Sequence, residues 1–347
     1  MSATGTTALA VPHEGDVRAI AFSPDSTRFA SGGGDTVVRV RTVGTGPATD
    51  LPSSGFVSSI AFNPDGTRIA VADLDQLSVF DATSGAIRWQ GTITAGNSVN
   101  WLAFTPDGSL VVATTDDLVA RFDASTGMAG GKTPVDRTIV GADLSRDGSR
   151  LVLAIDERHG GDHREAGSAR VLDLATGAEV GRLTPRNAVL AVAFSPDGAS
   201  VLTCSADGGT SLFESVGGTQ LWSVPEPDDP VERAPGSVAY DPTGIWTVVG
   251  GADGFARVLE AESGVEKTRS AHDGAVTHVA VSPDGRWAAS AGIDGRVHVF
   301  GIRTDGDRYA ADPGEVQAMR FSPDGRWLGL GVFGSASVLD NGPTEGP

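Results

Sequence analysis

The sequence predicts an all-β fold, a single closed β-propeller, on three observations. A four-residue turn signature recurs along the 347-residue chain. Apolar residues around each copy alternate with period two, the pattern of half-buried strands. No segment between the copies carries a helical pattern.

The signature runs as Ser23-Pro24-Asp25-Ser26, Asn63-Pro64-Asp65-Gly66, Thr105-Pro106-Asp107-Gly108 and Ser145-Arg146-Asp147-Gly148. It continues as Ser195-Pro196-Asp197-Gly198, Asp241-Pro242-Thr243-Gly244, Ser282-Pro283-Asp284-Gly285 and Ser322-Pro323-Asp324-Gly325. Successive copies lie 40, 42, 40, 50, 46, 41 and 40 residues apart. A period of that size marks a repeat architecture.

Each element follows from its residues. The inner strand reads Val17, Ile20, Phe22 in the first repeat and Val276, Val279, Val281 in the seventh. Three positions before each marker stand Ala21, Ala61, Ala103, Asp143, Ala193, Ala239, Ala280 and Arg320. The small residues suit a strand pressed against the next blade. The marker is a turn because Pro fixes φ, Asp bonds back to the local backbone and Gly accepts positive φ. A second strand follows, as in Leu151-Val152-Leu153-Ala154. A third apolar run ends in a second turn, Asp81–Gly85, Asp123–Gly127 or Asp173–Gly177, with variants at Glu214–Gly218 and Glu260–Gly264. An outer strand then completes four strands per unit.

The units are 6–43, 44–85, 86–127, 128–177, 178–218, 219–264, 265–304 and 305–340, with 341–347 as a tail. Eight inner hairpins predict eight blades. Seven blades with one unpaired unit is the alternative, because the fourth and sixth units are irregular. The last unit lacks an outer strand, and Thr6–Val11 is expected to supply it, removing the last free edge.

The turns and spacing resemble the WD-repeat (Trp-Asp repeat) β-propellers over about residues 6 to 340. In that family a His, a Ser or Thr, an Asp and a Trp form a hydrogen-bonded tetrad. His13, Ser31 and Asp35 match it in the first unit, and His272, Ser290 and Asp294 in the seventh. Ser205 and Asp207 match in part. The Trp is never kept. Phe80, Phe122, Leu172, Phe213, Leu259, Phe300 and Leu339 stand near its place, with Arg41 in the first unit, so the chain reads as a degenerate relative. The resemblance implies a non-catalytic scaffold that binds a protein or peptide.

Composition narrows the classes. With 26 basic and 44 acidic residues the net charge is −18, which opposes nucleic-acid binding. Lys132 and Lys267 are the two lysines, a bias expected of a GC-rich bacterial genome. No apolar stretch could span a membrane, and no signal peptide is evident. A single cysteine, Cys204, fits a reducing cytoplasm. A cytoplasmic monomer without cofactor is the expectation.

Departures from the repeat nominate function. The 50-residue step carries an insertion at Asp156–Ser168, and the 46-residue step one at Pro225–Gly236. Both flank the fifth unit on the face opposite the markers. They nominate Arg158, His159, His163, Arg164, Glu226, Asp228, Asp229, Glu232 and Arg233 for partner binding. His159, Asp162 and His163 are weak metal candidates, lacking a helix or Cys to fix them, and no metal is expected. As the alternative function, Arg18, Asn100, Trp101, Asp143, His278, Gln317 and Arg320 could line a central channel for a small ligand or lyase-type or hydrolase-type chemistry. Catalysis has little support, because no nucleophile, base and orienting acid fall together.

Overall fold

The computed structural model describes residues 5–93, 98–156, 167–205, 208–224, 236–304 and 306–342. The chain divides into two units, Met1–Pro134 with Pro313–Pro347, and Val135–Asp312. The described residues hold no helix long and apolar enough to cross a membrane.

The first unit opens with β1 (Thr7–Phe22), β2 (Arg28–Gly33), β3 (Val37–Thr42) and β4 (Ala48–Pro52). It continues with β5 (Val57–Phe62), β6 (Arg68–Asp73), β7 (Gln76–Asp81) and β8 (Ile87–Thr92). Then come β9 (Trp101–Phe104), β10 (Leu110–Thr114), β11 (Leu118–Asp123) and β12 (Ala129–Pro134). The second unit holds β13 (Thr138–Leu144), β14 (Arg150–Asp156), β15 (Ser168–Asp173) and β16 (Glu179–Leu183). It adds β17 (Val189–Phe194), β18 (Ser200–Ser205), β19 (Thr210–Glu214) and β20 (Gln220–Val224). There follow β21 (Ser237–Tyr240), β22 (Trp246–Gly250), β23 (Phe255–Glu260) and β24 (Glu266–Ala271). The unit ends with β25 (Val276–Val281), β26 (Trp287–Gly292), β27 (Val297–Gly301) and β28 (Asp307–Ala311). The chain then rejoins the first unit as β29 (Val316–Phe321) and β30 (Trp327–Asp340).

These strands form seven sheets among the described residues, six of four strands and one of six, ordered β29-β30-β1-β2-β3-β4. The expectation of eight separate blades is therefore corrected to seven, the count held as the alternative. The cause is strand continuity. The first half of β1 pairs with β30, Thr7 opposite Leu339 and Val11 opposite Ala336. Its second half pairs with β2, Val17 opposite Gly33 and Phe22 opposite Phe29. The last repeat is thus joined to the first repeat's sheet instead of standing apart. Within it β30 turns back about Gly334 (φ +77°), and the Asn341 N–H donates to Arg326 O at 2.7 Å. The expected N-terminal closure of the last repeat is present.

All eight marker turns form, each for the local reason its residues provide. Ser145 Oγ donates to Asp147 Oδ1 at 2.6 Å and accepts the Arg150 N–H at 2.9 Å, while Asp147 accepts the Ser149 N–H. These donors, the Ser145 hydroxyl first, hold the Asp147 carboxyl down at about 2. Where Asn63 and Asp241 replace Ser, their own oxygens accept the Arg68 and Trp246 N–H groups. The fourth turn residue is left-handed, and Ser26 takes that conformation (φ 59°) without being Gly.

Sheets pack face to face through apolar clusters. In the first unit one cluster joins Val40, Leu51 and Ile69, and another joins Leu77, Val79, Val111 and Phe122. In the second unit Val171, Leu183, Val201 and Phe213 share one core, and Leu212, Val249 and Leu259 another. The apolar residues standing near the tetrad Trp position, Phe80, Phe122, Leu172, Phe213, Leu259, Phe300 and Leu339, are buried, and Arg41 is half-buried. Arginines at the start of the second strand brace neighbouring sheets. Arg28 donates to Ala82 O at 2.8 Å and to Gly66 O, and Arg150 donates to Ser215 Oγ at 2.6 Å.

Candidate functional site

Both tetrad-like clusters assemble. His13 Nε2 lies 2.8 Å from Ser31 Oγ, and Nδ1 lies 3.0 Å from Asp35 Oδ2. In the second unit His272 repeats the pattern at 2.8 Å to Ser290 and 3.1 Å to Asp294. The carboxylate fixes the tautomer: Nδ1–H donates to Asp, and Nε2 accepts the Ser hydroxyl. Burial lowers the pKa of both histidines against the raising pull of Asp35 and Asp294. Burial pushes the Asp35 carboxyl up, but the His13, Arg39 and Glu14 N–H donors outweigh it and hold it below the usual range. The histidines are therefore neutral anchors between strands.

Sequence reasoning missed what completes each cluster. Strand register, not the Trp position, selects the neighbour: Ser31 is paired with Arg39, and Ser290 with His298. Arg39 Nη1 contacts Asp35 and lies 2.9 Å from His13 Nδ1. His298 stacks on His272 with ring centroids 4.4 Å apart, and its Nδ1 lies 3.1 Å from Ser270 Oγ. The same Asp-to-Arg reach recurs without a His, where Arg257 pairs with Asp253.

A pH dependence follows. Each histidine's folded pKa lies below its ordinary 6.5, so the unfolded chain binds more protons as pH drops through 6.5. The stability they confer is complete above that pH and is lost below it. Wild-type thermal midpoints should fall steadily from pH 7.5 to 5. The double variant His13→Gln, His272→Gln should be less stable at pH 7.5 and show a shallower slope. Parallel slopes would refute the assignment.

All nine partner-binding candidates, Arg158, His159, His163, Arg164, Glu226, Asp228, Asp229, Glu232 and Arg233, lie outside the described residues, as do Asp162 and Asp207. The roots of both insertions are described. Thr138 pairs with Asp156, and Ile155 with Ser168. Gly167 sits flush on the chain entering β17: a Cβ there would lie 2.4 Å from Ala188 Cα and 2.5 Å from Asn187 O. Gly236 packs beside it, where a Cβ would meet Leu190 Cβ at 3.2 Å and Cys204 Sγ at 3.1 Å. The C-terminal flank of each insertion thus packs near the start of β17, while Asp156 pairs with Thr138 and Val224 with Thr210. Gly167 requires its missing side chain there, because backbone atoms leave no room.

The channel candidates have local partners. In the first unit Arg18 pairs with Asp16 at 3.1 Å and lies over the Phe56 ring. Asn100 accepts from Thr114 Oγ1 at 2.5 Å, and Gln317 donates to Glu315. Trp101 is half-buried, and Arg320 is exposed on β29. In the second unit Asp143 accepts the N–H groups of Leu144 (3.0 Å) and Phe194 (2.7 Å), tying β13 to β17. His278 Nδ1 lies 3.0 Å from Thr277 Oγ1. Among the described residues no three His, Cys, Asp or Glu side chains gather as a metal site.

One groove in the second unit was not foreseen. It measures about 420 Å³ and lies between the marker turns of β17–β18 and β21–β22, bounded by Pro196, Asp197, Leu212, Tyr240, Thr243 and Glu262. Its signal in the sequence is faint, since Tyr240 is an ordinary inner-strand aromatic until sheet packing sets it beside Ser200.

Comparison with known proteins matches four segments, residues 7–41, 47–77, 177–214 and 264–300, to the family described as WD domain, G-beta repeat. No curated protein matches the chain by sequence. Solved structures match along nearly its whole length. The computationally designed Ika8 protein is 21% identical, with TM-score 0.80, covering 97% of this chain and 100% of its own. The C-terminal WD40 domain of Sif2 is 15% identical, with TM-score 0.79, covering 98% and 99%. Saccharomyces cerevisiae Sqt1 is 16% identical, with TM-score 0.80, covering 99% and 100%.

Proposed function

We propose that this chain, a β-propeller carrying WD40 repeats, is a protein-binding or peptide-binding scaffold whose partner sits on the two inserted loops. WD40 propellers commonly serve as interaction scaffolds, an argument from fold alone. What supports the reading further is that the residues ending the two insertions, Gly167 and Gly236, both pack near the start of β17. One loop offers Arg158, His159, His163 and Arg164, the other Glu226, Asp228, Asp229, Glu232 and Arg233. Mixed charge of this kind suits a polar protein surface. The framework histidines take no part, since Ser31, Asp35, Ser290 and Asp294 hold them.

The test replaces residues 157–166 and 225–235 with short Gly-Ser turns. The variant should keep the wild-type melting temperature, because loops of this length add little closure entropy. It should lose the protein that the wild-type chain captures from its native lysate. Equal capture by both forms would overturn the reading.

A further inference from the structure

We propose that the groove between the marker turns of β17–β18 and β21–β22 is a second binding site, which takes an arginine side chain of a partner peptide. It lies at the far end of β17 from the inserted loops, and none of its lining residues belongs to their roots. Its failure would therefore leave the scaffold reading untouched.

The groove is a half-open surface recess of about 420 Å³, enough for one side chain and not for a whole ligand. Leu212, 5% exposed, forms apolar lining, and Pro196 and Ala261 add to it. Tyr240 stands in the wall with its hydroxyl 3.3 Å from Ser200 Oγ. Burial raises that phenol to about 12, so it is neutral and presents an aromatic surface. The Trp222 indole N–H donates to Ala261 O at 2.9 Å, so the turn carrying Glu262 is held to the neighbouring sheet.

The polar groups at the rim choose the ligand. Asp197 spends Oδ1 on the Ser195 hydroxyl (2.6 Å) and the Ala199 N–H (2.9 Å). Those donors, Ser195 first, keep the carboxyl below the usual range and so ionised. Glu262, also in the lining, is exposed, and among the described residues neither carboxylate has a cation within 4 Å. Arg150 donates to Ser215 and lies over Phe194 while its charge still reaches Asp197, and Arg146 shares with Asp197 the lining of an adjoining recess of about 220 Å³, so Glu262 is the carboxylate that bears most of the ligand's charge. The whole chain carries −18, so its field favours a cation. Carboxylates sharing a lining with an aromatic ring and apolar side chains suit a guanidinium better than an ammonium. The planar group stacks on the ring, bonds a carboxylate with two N–H groups and sheds water readily.

The experiment screens bead-displayed random heptapeptides against the full chain, and measures the most enriched peptide by fluorescence anisotropy. Enriched sequences should carry a central arginine with apolar neighbours. Replacing that arginine by citrulline should weaken binding at least tenfold, and by lysine several-fold. Glu262→Lys, at an exposed turn, should keep the melting temperature and lose binding at least tenfold. Asp116→Lys, an equal charge change in the first unit, should leave binding intact. Tyr240→Leu should weaken binding even where the fold holds. The proposal is overturned if no peptide is enriched, if enriched peptides lack arginine, or if Glu262→Lys binds as the wild type does. Binding of free spermidine that depends on Glu262, with no peptide bound, would overturn it as well.

Discussion

Removing residues 1–12 should destabilise the first unit by about 3 kcal/mol or more, at the severe end of what local changes cost. The deleted segment contains the first half of β1, which pairs with β30 from Thr7–Leu339 to Pro12–Ser335. Val11 is 1% exposed and shares a cluster with Ala336 and Val338. Burying a valine contributes about 1.5–3 kcal/mol, and each backbone hydrogen bond about 1 kcal/mol net. The ordering entropy of the strand offsets part of that gain. The truncated chain would also expose an unpaired edge on β30, so it should associate with itself. Denaturant titration and light scattering read the two effects. Adding a synthetic peptide of residues 5–14 should restore the midpoint and suppress association. A truncated chain that melts with the wild type would contradict the closure.

Phe213→Ala should cost about 3–5 kcal/mol, the range for removing a buried ring. Phe213 is 1% exposed, among the largest fully buried side chains. It lies on β19 and packs with Val171, Leu183 and Val201, so it joins two sheets. Val171 and Val201 lie on inner strands held by ladders on both sides, and Leu183 on an edge strand held on one, so the neighbours collapse little into the void. Phe213→Leu should lose well under half as much. The denaturation midpoint should shift with an unchanged slope, which marks a stability effect and not a change of unfolded state. A loss below about 1 kcal/mol would show that the ring is not shared between sheets.

Much of this fold is legible in the sequence because its signals are local. Pro, Asp and Gly act on the three or four residues beside them, so each marker turn announces itself. The substitutes for Trp could be read as core because they are apolar at a fixed distance from a turn. The tetrad-like residues were legible for the same reason. Arg39 and His298 were not, because their roles depend on which residue lies opposite on the next strand. Arg28 and Arg150 escaped notice because a guanidinium braces the adjacent sheet only after the sheets have packed. The number of sheets was misjudged because a repeat count cannot show that β1 continues through two repeats. The groove beside Tyr240 arises from the distance between two turns, which no single repeat encodes.

Site-specific photo-crosslinking in the native cell tests whether the two insertions form one interface. A photoreactive phenylalanine analogue is placed in turn at His163, at Asp228, and at Asp65 on a marker turn of the second repeat. One partner should be captured from both 163 and 228, and none of it from 65. Capture of that partner from 65 alone, or of unrelated proteins from 163 and 228, would contradict a shared interface on the two insertions.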